Sequence, residues 1–327
     1  MSNRTCVVIP NFNGKEYMAD CLMALRMQTL PPDEIIVVDN GSTDGSADLV
    51  AGDFPEVRLV RLEENTGFCG GVNTGIRMAD EDGMDYVILL NSDTRADPRF
   101  VEELVRAMDV NQQTFSCQAK MISMRDPGKM DDGGDLYCSF GWAFARGKGR
   151  SSHLFRKPAE IFSACAGAAI YRMSILREIG LFDENHFAYL EDTDIGWRAR
   201  IHGYENLYIP SSRVLHVGSA ASGSVYNLFK VKNTSRNSIY LISKNMPPFQ
   251  IFLNFPFLFF GFAVKAVFFT RKGFGREYLH GILDGFRLSR RGKAEGRHVP
   301  YDPVNFPNYV KLQVEMWINM FRRLLNV

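Results

Sequence analysis

Net charge is nearly absent from this 327-residue chain: 38 lysines and arginines stand against 37 aspartates and glutamates, for a formal net charge of +1. Such balance removes the polyelectrolyte argument for a nucleic-acid binder, and no nucleic-acid partner is expected. Cysteine is sparse and scattered. Cys6, Cys21, Cys69, Cys117, Cys138 and Cys165 form no C-x-x-C pair and no zinc-ligand spacing, so they read as small core fillers of a reducing compartment. The opening MSNRTCVVIP lacks the long apolar core of a signal peptide, and a cytoplasmic chain is expected. No low-complexity tract or repeat interrupts the 46% apolar composition, which suits one large domain with an appendage. Two familiar phosphate-binding patterns are also missing. The glycines of ENTGFCGGVNTGI have no Walker spacing and no following lysine, and they do not follow the first strand as a Rossmann fingerprint would.

Long apolar runs are rare, with one exception. FQIFLNFPFLFFGFAVKAVFF, residues 249–269, is long enough to cross a bilayer, but Gln250, Asn254, Pro256 and Lys265 interrupt it. Three readings stand: an in-plane or re-entrant membrane helix, a buried core or oligomer helix, and a true span. Flanking Lys244, Arg271 and Lys272 favour contact with lipid headgroups. The last third also concentrates Arg287, Arg290, Arg291 and Lys293. A basic patch beside apolar surface suits an anionic membrane or a diphosphate-bearing substrate.

Along the chain, short β-branched runs alternate with helical periodicity. TCVVIP, DEIIVVD, VRLVRL and DYVILLNSD read as strands. KEYMADCLMALRMQ, SADLVAG and GGVNTGIRMAD read as helices, the first with Met18, Cys21, Leu22 and Leu25 on one face. This alternation implies an open, mostly parallel α/β sheet. A helix follows in PRFVEELVRAMD, then a less regular Gly- and Asp-rich stretch to residue 160. An ordered block spans 162–218, and helices are expected over 225–245 and 274–292. The expected organisation is a catalytic domain over 1–225 and a C-terminal helical region over 226–327.

Open α/β sheets bind ligands beyond the carboxyl ends of their strands. Three strand ends here are polar: Pro10-Asn11-Phe12-Asn13, Asp39-Asn40-Gly41-Ser42 and Asn91-Ser92-Asp93. Any one of them reads equally as a helix cap or an Asx-turn; together they suggest a nucleotide-sized site. Asp39 can accept the ring N–H of a pyrimidine. Asn91 and Asp93 project from one side of their strand and offer two oxygens to a divalent cation, the asparagine as the weaker ligand. Further on, HFAYLEDTDIGWRAR gathers Glu191, Asp192 and Asp194. Acids favour a helix start, but a carboxylate here could equally serve as a general base. Trp197 fits a buried core better than a sugar-stacking platform. His216 follows another apolar strand.

These stretches together resemble family 2 glycosyltransferases, and within them the rhamnosyltransferase-like branch of bacterial surface-polysaccharide assembly. The likeness rests on VVIPNFNG, VVDNGSTDGS, NTGFCGGVNTGI, LLNSDT, ACAGAAIYRMSILREIGLFDENHFAYLEDTDIGWRAR, HVGSAASG and TSRNSIYLISKN, in order over residues 5–245. It implies a GT-A fold, a nucleotide-binding α/β half merged with an acceptor half, and inversion at the anomeric carbon. By position, Asp39 is similar to the base-reading aspartate, with Asn40 beside it, and Pro10, Asn11 and Asn13 to the first nucleotide loop. Asn65, Gly67 and Asn73 correspond to positions near the nucleotide and diphosphate, and Arg236-Asn237 to an Arg-Asn pair of this branch. Asp93 matches the last aspartate of the metal motif, with Asn91 at its first position and Ser92 between. His216 matches a histidine that joins metal or diphosphate binding, and Asp192, with Glu191 beside it, the catalytic base. The implied partners are a dTDP- or UDP-sugar, Mg2+ or Mn2+, a lipid-linked saccharide acceptor and the inner membrane face, with oligomers possible through the C-terminal helices. The stretch from Pro127 to Gly149 is expected to contact the acceptor. A sugar-nucleotide pyrophosphorylase is disfavoured because PNFNGKEYMAD lacks an Arg- and Lys-bearing glycine loop. A non-catalytic nucleotide-sugar-binding scaffold is the remaining alternative.

Overall fold

The computed structural model describes residues 3–218 and 226–324. The expected domain boundary at 225, and the Gly-Ser turn beyond Gly218, lie outside the described residues. The chain runs β1 (Thr5–Asn11), α1 (Lys15–Arg26), β2 (Glu34–Asn40), α2 (Ser46–Asp53), β3 (Arg58–Leu62), α3 (Gly67–Glu81), β4 (Tyr86–Leu90), β5 (Thr94–Ala96) and α4 (Phe100–Val110). It continues through β6 (Thr114–Ser123), β7 (Met130–Asp132), β8 (Asp135–Cys138), β9 (Trp142–Ala145), β10 (Ala159–Glu160), β11 (Ala168–Arg172), α5 (Met173–Ile179), α6 (Glu191–Ile201) and β12 (Glu205–His216). Four helices end it: α7 (Leu228–Asn245), α8 (Pro248–Arg271), α9 (Gly275–Ala294) and α10 (Phe306–Leu324).

The main sheet has the order β10-β12-β6-β11-β4-β1-β2-β3. Its half β4-β1-β2-β3 is parallel, as the alternating pattern predicts. The other half is mixed: β6 and β12 run in the direction of β4, while β11 and β10 run against it, so the main order keeps the mostly parallel character that the pattern predicts. β6 leaves one place open beside β4, and β11 fills it antiparallel to both neighbours. The Gly- and Asp-rich stretch is also more regular than its composition suggests. Thr114–Ser123 is a ten-residue strand in which Phe115, Cys117, Ala119 and Met121 alternate with Ser116, Gln118 and Lys120, and both sets are buried.

The sheet is covered on both faces. The α1 stripe Met18, Cys21, Leu22 and Leu25 packs with α2 and α4 on one side, as its 3.6-residue periodicity requires. On the other side, Val72 and Ile76 of α3 pack with Ile175 of α5 and Ile195 of α6. All six cysteines are free, five of them buried. Trp197 is fully buried against Tyr137 and Phe162, so it belongs to the core and not to a sugar platform. That aromatic cluster continues into Leu241 of α7, Leu258 of α8 and Leu312 of α10, which join the C-terminal helices to α6.

Helix α8 is inside out for a helix in water. Its polar Gln250 and Asn254 are buried, bonded to the Tyr309 carbonyl and, in a reciprocal amide pair at 2.8 and 2.9 Å, to Gln313 of α10. Its Phe252, Phe255 and Phe259 are 85%, 62% and 69% exposed. The reading as a buried core helix is thereby overturned: the side chains that would fill a core point away from the protein.

Candidate functional site

Parallel register sets Asn11 opposite Asp39 at the ends of β1 and β2. Asn11 Nδ2 donates to Asp39 Oδ1 at 2.8 Å, and the Ser42 amide donates to Asp39 Oδ2, so this aspartate is a turn-organising acceptor and not a helix cap. Asn11 Oδ1 is buried without a partner. Asn13, at φ +53°, receives the Thr43 amide and donates its own to Ser42 Oγ. The first two strand ends are therefore one knitted surface. Gly14 brings in the third: a Cβ there would lie 2.5 Å from Asn11 Oδ1 and 2.8 Å from Ser92 Oγ. Pro10 lies opposite Gly71 of α3, where an added Cβ would already touch the proline ring.

The neighbouring asparagines are spent on architecture. Asn40 donates to Asn65 Oδ1 and the Gly67 carbonyl and accepts from Thr66. Gly67, at φ +78°, is held against Phe187, where a Cβ would sit 2.6 Å from the ring. The Gly67 and Cys69 amides go to Asn65 and the Phe187 carbonyl, so this mouth of α3 is plugged by protein. Asn73 exchanges hydrogen bonds with the Phe182 backbone and donates to Glu184, which fastens α3 to the segment leading into α6.

Antiparallel pairing of β5 with β12 sets Thr94 opposite His216 and brings Asp93 to the imidazole. His216 Nε2 lies 3.2 Å from Asp93 Oδ1, and its Nδ1 lies 2.7 Å from Asp131 Oδ2. Lys148 holds the other Asp131 oxygen at 2.8 Å. Burial pulls the imidazole down, but its hydrogen bonds to Asp131 and Asp93 and their charges outweigh it, and its pKa rises to about 9. Burial pushes Asp131 up, but His216 and Lys148 outweigh it and hold it at about 2. A carboxylate on one ring nitrogen and a second ligand candidate facing the other is the usual support for a metal-binding histidine, so the donor set fits a divalent cation. Asn91, whose amide is anchored to the Gly167 carbonyl, ends β4 beside this pair.

The base candidate is tied to the same strand ends through the residues leading into β11. In the first turn of α6, Asp192 Oδ1 accepts the Ala166 amide at 3.1 Å, one residue before the Gly167 carbonyl that holds Asn91. Gln118 of β6 fixes this bridge, accepting from the Cys165 amide and donating to Asp132. Glu191 is buried with Oε2 unpartnered. Burial raises the pKa of Asp192, and the charge of Glu191 raises it further; burial also raises Glu191, with Asp135 adding to it. Asp132 and Asp135 are raised in the same way. The site therefore holds a group of buried carboxyls that push one another's pKa values up, Glu191 to about 7, the kind of environment in which a carboxyl can serve as a general base.

Asp131, Asp132 and Asp135 lie within the 127–149 stretch expected to contact the acceptor, but nothing in the DDGGD run marks Asp131 as a partner of His216 or Asp132 as a partner of Gln118. The same holds for the role of the Arg-Asn pair. Arg236 Nη2 donates to the His186 carbonyl, and Asn237 Nδ2 donates to the carbonyls of His186, Ala188 and Tyr189. They hold Phe187, Tyr189 and Leu190 at φ +62°, +73° and +67°, a strained lead-in that aims Glu191 and Asp192. Asp183, His186 and Asp194 also cluster closely enough for a metal. That place is taken: Lys244 Nζ lies 2.7 Å from Asp183 and 2.8 Å from Asp194, and Arg198 closes on Asp194 at 3.0 Å.

Residues 6–180 match the family described as glycosyl transferase family 2. The chain belongs to that family. It is a glycosyltransferase similar to the rhamnosyltransferase-like branch. It is 27% identical over 239 residues, 66% of its own length and 77% of the relative's, to an N-acetylglucosaminyl-diphospho-decaprenol L-rhamnosyltransferase of Mycobacterium tuberculosis. It is also 27% identical to a low-salt glycan biosynthesis hexosyltransferase of Haloferax volcanii, covering 80% of this chain and 85% of that one. In fold, it is similar to GalNAc-T7 crystallised with UDP, GalNAc and Mn2+ (TM-score 0.57, 16% identity, 74% of this chain), spanning 48% of that longer chain. A mannosyltransferase of Pyrobaculum calidifontis in complex with GDP-Man and Mn2+ aligns over 100% of this chain and 88% of its own, with TM-score 0.54 and 15% identity. The family 2 transferase thus has a GT-A fold, with a helical C-terminal region attached.

Proposed function

We propose that this transferase moves a sugar, best matched to rhamnose, from a dTDP- or UDP-sugar to a lipid-linked saccharide, inverting the anomeric carbon, in bacterial surface-polysaccharide assembly at the inner membrane face. The observation that carries the reading is the convergence of Asp93, His216 and Asp192 on one end of the sheet that also carries Asp39. Asp39, with Pro10, Asn11 and Asn13, accepts and encloses the pyrimidine. Asp192 takes the proton of the acceptor hydroxyl as it attacks from the face opposite the leaving diphosphate. Asp93 and His216, with Asn91 as a neutral oxygen ligand, would hold a Mg2+ or Mn2+, which when bound would supply positive charge for the departing diphosphate. Asp131 orients His216, and Arg236 with Asn237 holds the strained segment that presents Asp192. The Asp131–Asp135 stretch borders the acceptor side. The exposed phenylalanines of α8 lie against the bilayer that carries the acceptor.

The test is a panel of nucleotide sugars incubated with the enzyme, a synthetic polyisoprenyl-diphosphate-linked saccharide, and Mg2+, Mn2+ or chelator. Cation-dependent transfer of one sugar with inverted linkage is expected. Binding of a nucleotide sugar without transfer under any condition would favour the scaffold, and transfer indifferent to chelator would remove the metal from the reading.

A further inference from the structure

Helices α7 and α9 touch backbone to backbone. A Cβ at Gly281 would fall 1.9 Å from Ser235 Oγ, and one at Gly285 would fall 2.6 Å from the Arg236 carbonyl. Beside this contact lies an open cleft of about 290 Å³, lined by Lys232, Asn233, Arg236, Asp284, Arg287 and Arg291. Four cations meet one acid there. Asp284 is shared between Arg287 at 2.8 Å and Lys232 at 3.3 Å, and Glu295 lies 3.5 Å from Arg291 at the cleft's end, so four cations still outnumber the two acids that touch them. Gathering like charges costs free energy that an anion recovers.

The same helix carries an apolar face. Leu279, Leu283 and Phe286 of α9 are each more than half exposed, and Leu283 sits one turn before Arg287. α9 packs on α8, whose Phe255, Phe259 and Phe260 are also exposed. A free phosphate would use the cations and ignore the phenylalanines. An amphiphile with an anionic head uses both.

We infer that the α7–α9 cleft receives the phosphate or diphosphate head of a lipid whose chain lies on the exposed apolar faces of α8 and α9. Arginine forks suit phosphate oxygens, and Arg287 and Arg291 are exposed enough to reach a headgroup. Arg236 then links the two ends of the system: it lines the cleft while bonding the His186 carbonyl in the segment that aims Asp192. The inference rests on the proposed seating of α8 on a bilayer, and its test separates the two.

Full-length protein is floated with phosphatidylcholine vesicles, and with the same vesicles carrying a polyisoprenyl phosphate. The wild type should bind the phosphate-bearing vesicles better, and Arg287→Gln with Arg291→Gln should lose about tenfold or more of that gain. Arg290→Gln with Lys293→Gln removes equal charge from the same helix outside the cleft and should keep the gain. A cleft variant that retains the preference, or a wild type that has none, overturns the inference. If inorganic pyrophosphate titrates the cleft while lipid phosphate gives no gain, the ligand is a free anion and the lipid assignment is wrong. Failure to float on any vesicle sinks the bilayer seating itself.

Discussion

The Nδ1 of His216 lies 2.7 Å from Oδ2 of Asp131, on the side of the imidazole away from Asp93. A residue from an irregular-looking Asp-Gly run thus fixes the orientation of a histidine at the end of a strand some 85 positions later. Asp131→Asn should weaken the response to divalent cation by about ten- to a hundredfold while leaving the fold intact. Activity titrated against Mn2+ concentration measures it: a lower apparent affinity with recovery at high metal is the expected pattern. Unchanged affinity would make Asp131 a structural partner only.

Asp192→Asn should abolish transfer and leave nucleotide-sugar binding by calorimetry largely intact. In the proposed mechanism the carboxylate form is the base, and the pKa of Asp192 is raised first by burial and then by Glu191. Transfer should therefore rise with pH through that pKa. Glu191→Gln removes a negative neighbour, lowers the Asp192 pKa, and should move the acid limb of the pH–rate profile to lower pH. A shift the other way, or none, contradicts this coupling.

Lys244 is buried between Asp183 and Asp194. Lys244→Met should destabilise the protein by about 3–5 kcal/mol, because Asp183 and Asp194 lose the buried cation they share and keep as countercharges only Arg297 at 3.6 Å and Arg198 at 3.0 Å respectively. Denaturant unfolding gives the number. Loss of less than about 1 kcal/mol would mean that the acids take up protons without strain.

His186 is fully buried with neither ring nitrogen partnered, and burial pulls its pKa from 6.5 down to about 4. Because the unfolded imidazole binds its proton first, stability is lost as pH falls from 6.5 and levels off below about 4. The full loss is about 3 kcal/mol. His186→Phe should remove this imidazole's share of the fall, read as the wild-type minus variant difference in unfolding free energy at several pH values, because buried Glu191 and Asp192 contribute in the opposite sense over the same window.

On α8, Phe252→Ser with Phe255→Ser and Phe259→Ser should shift the protein from membrane to soluble fractions without lowering its unfolding midpoint, since these rings contact no core. Asn254→Leu should do the reverse. It leaves Gln313 unpaired inside and costs about 1–3 kcal/mol, with membrane binding retained.

Local pattern determined much of this protein. The stripe Met18, Cys21, Leu22 and Leu25 and the apolar runs ending at Asn11, Asn40 and Leu90 carry their periodicity in adjacent residues, so helices, strands and the three polar strand ends were legible in the sequence. Asp39, Asp93, Asp192 and His216 could be picked out because polar groups after apolar strands, or at a helix start, announce themselves locally. Only tertiary structure decided the rest. β6 alternates apolar with polar residues, but only its neighbours decide that Ser116, Gln118 and Lys120 are buried too; Asp131 finds His216 through strand pairing, and Arg236 and Asn237 serve carbonyls some fifty residues away. The orientation of α8 was equally hidden: sequence marks Gln250 and Asn254 as interruptions, but which face of a helix turns inward is set by what packs against it. Here the polar partners lie inside, on α10, and the phenylalanines are left facing out.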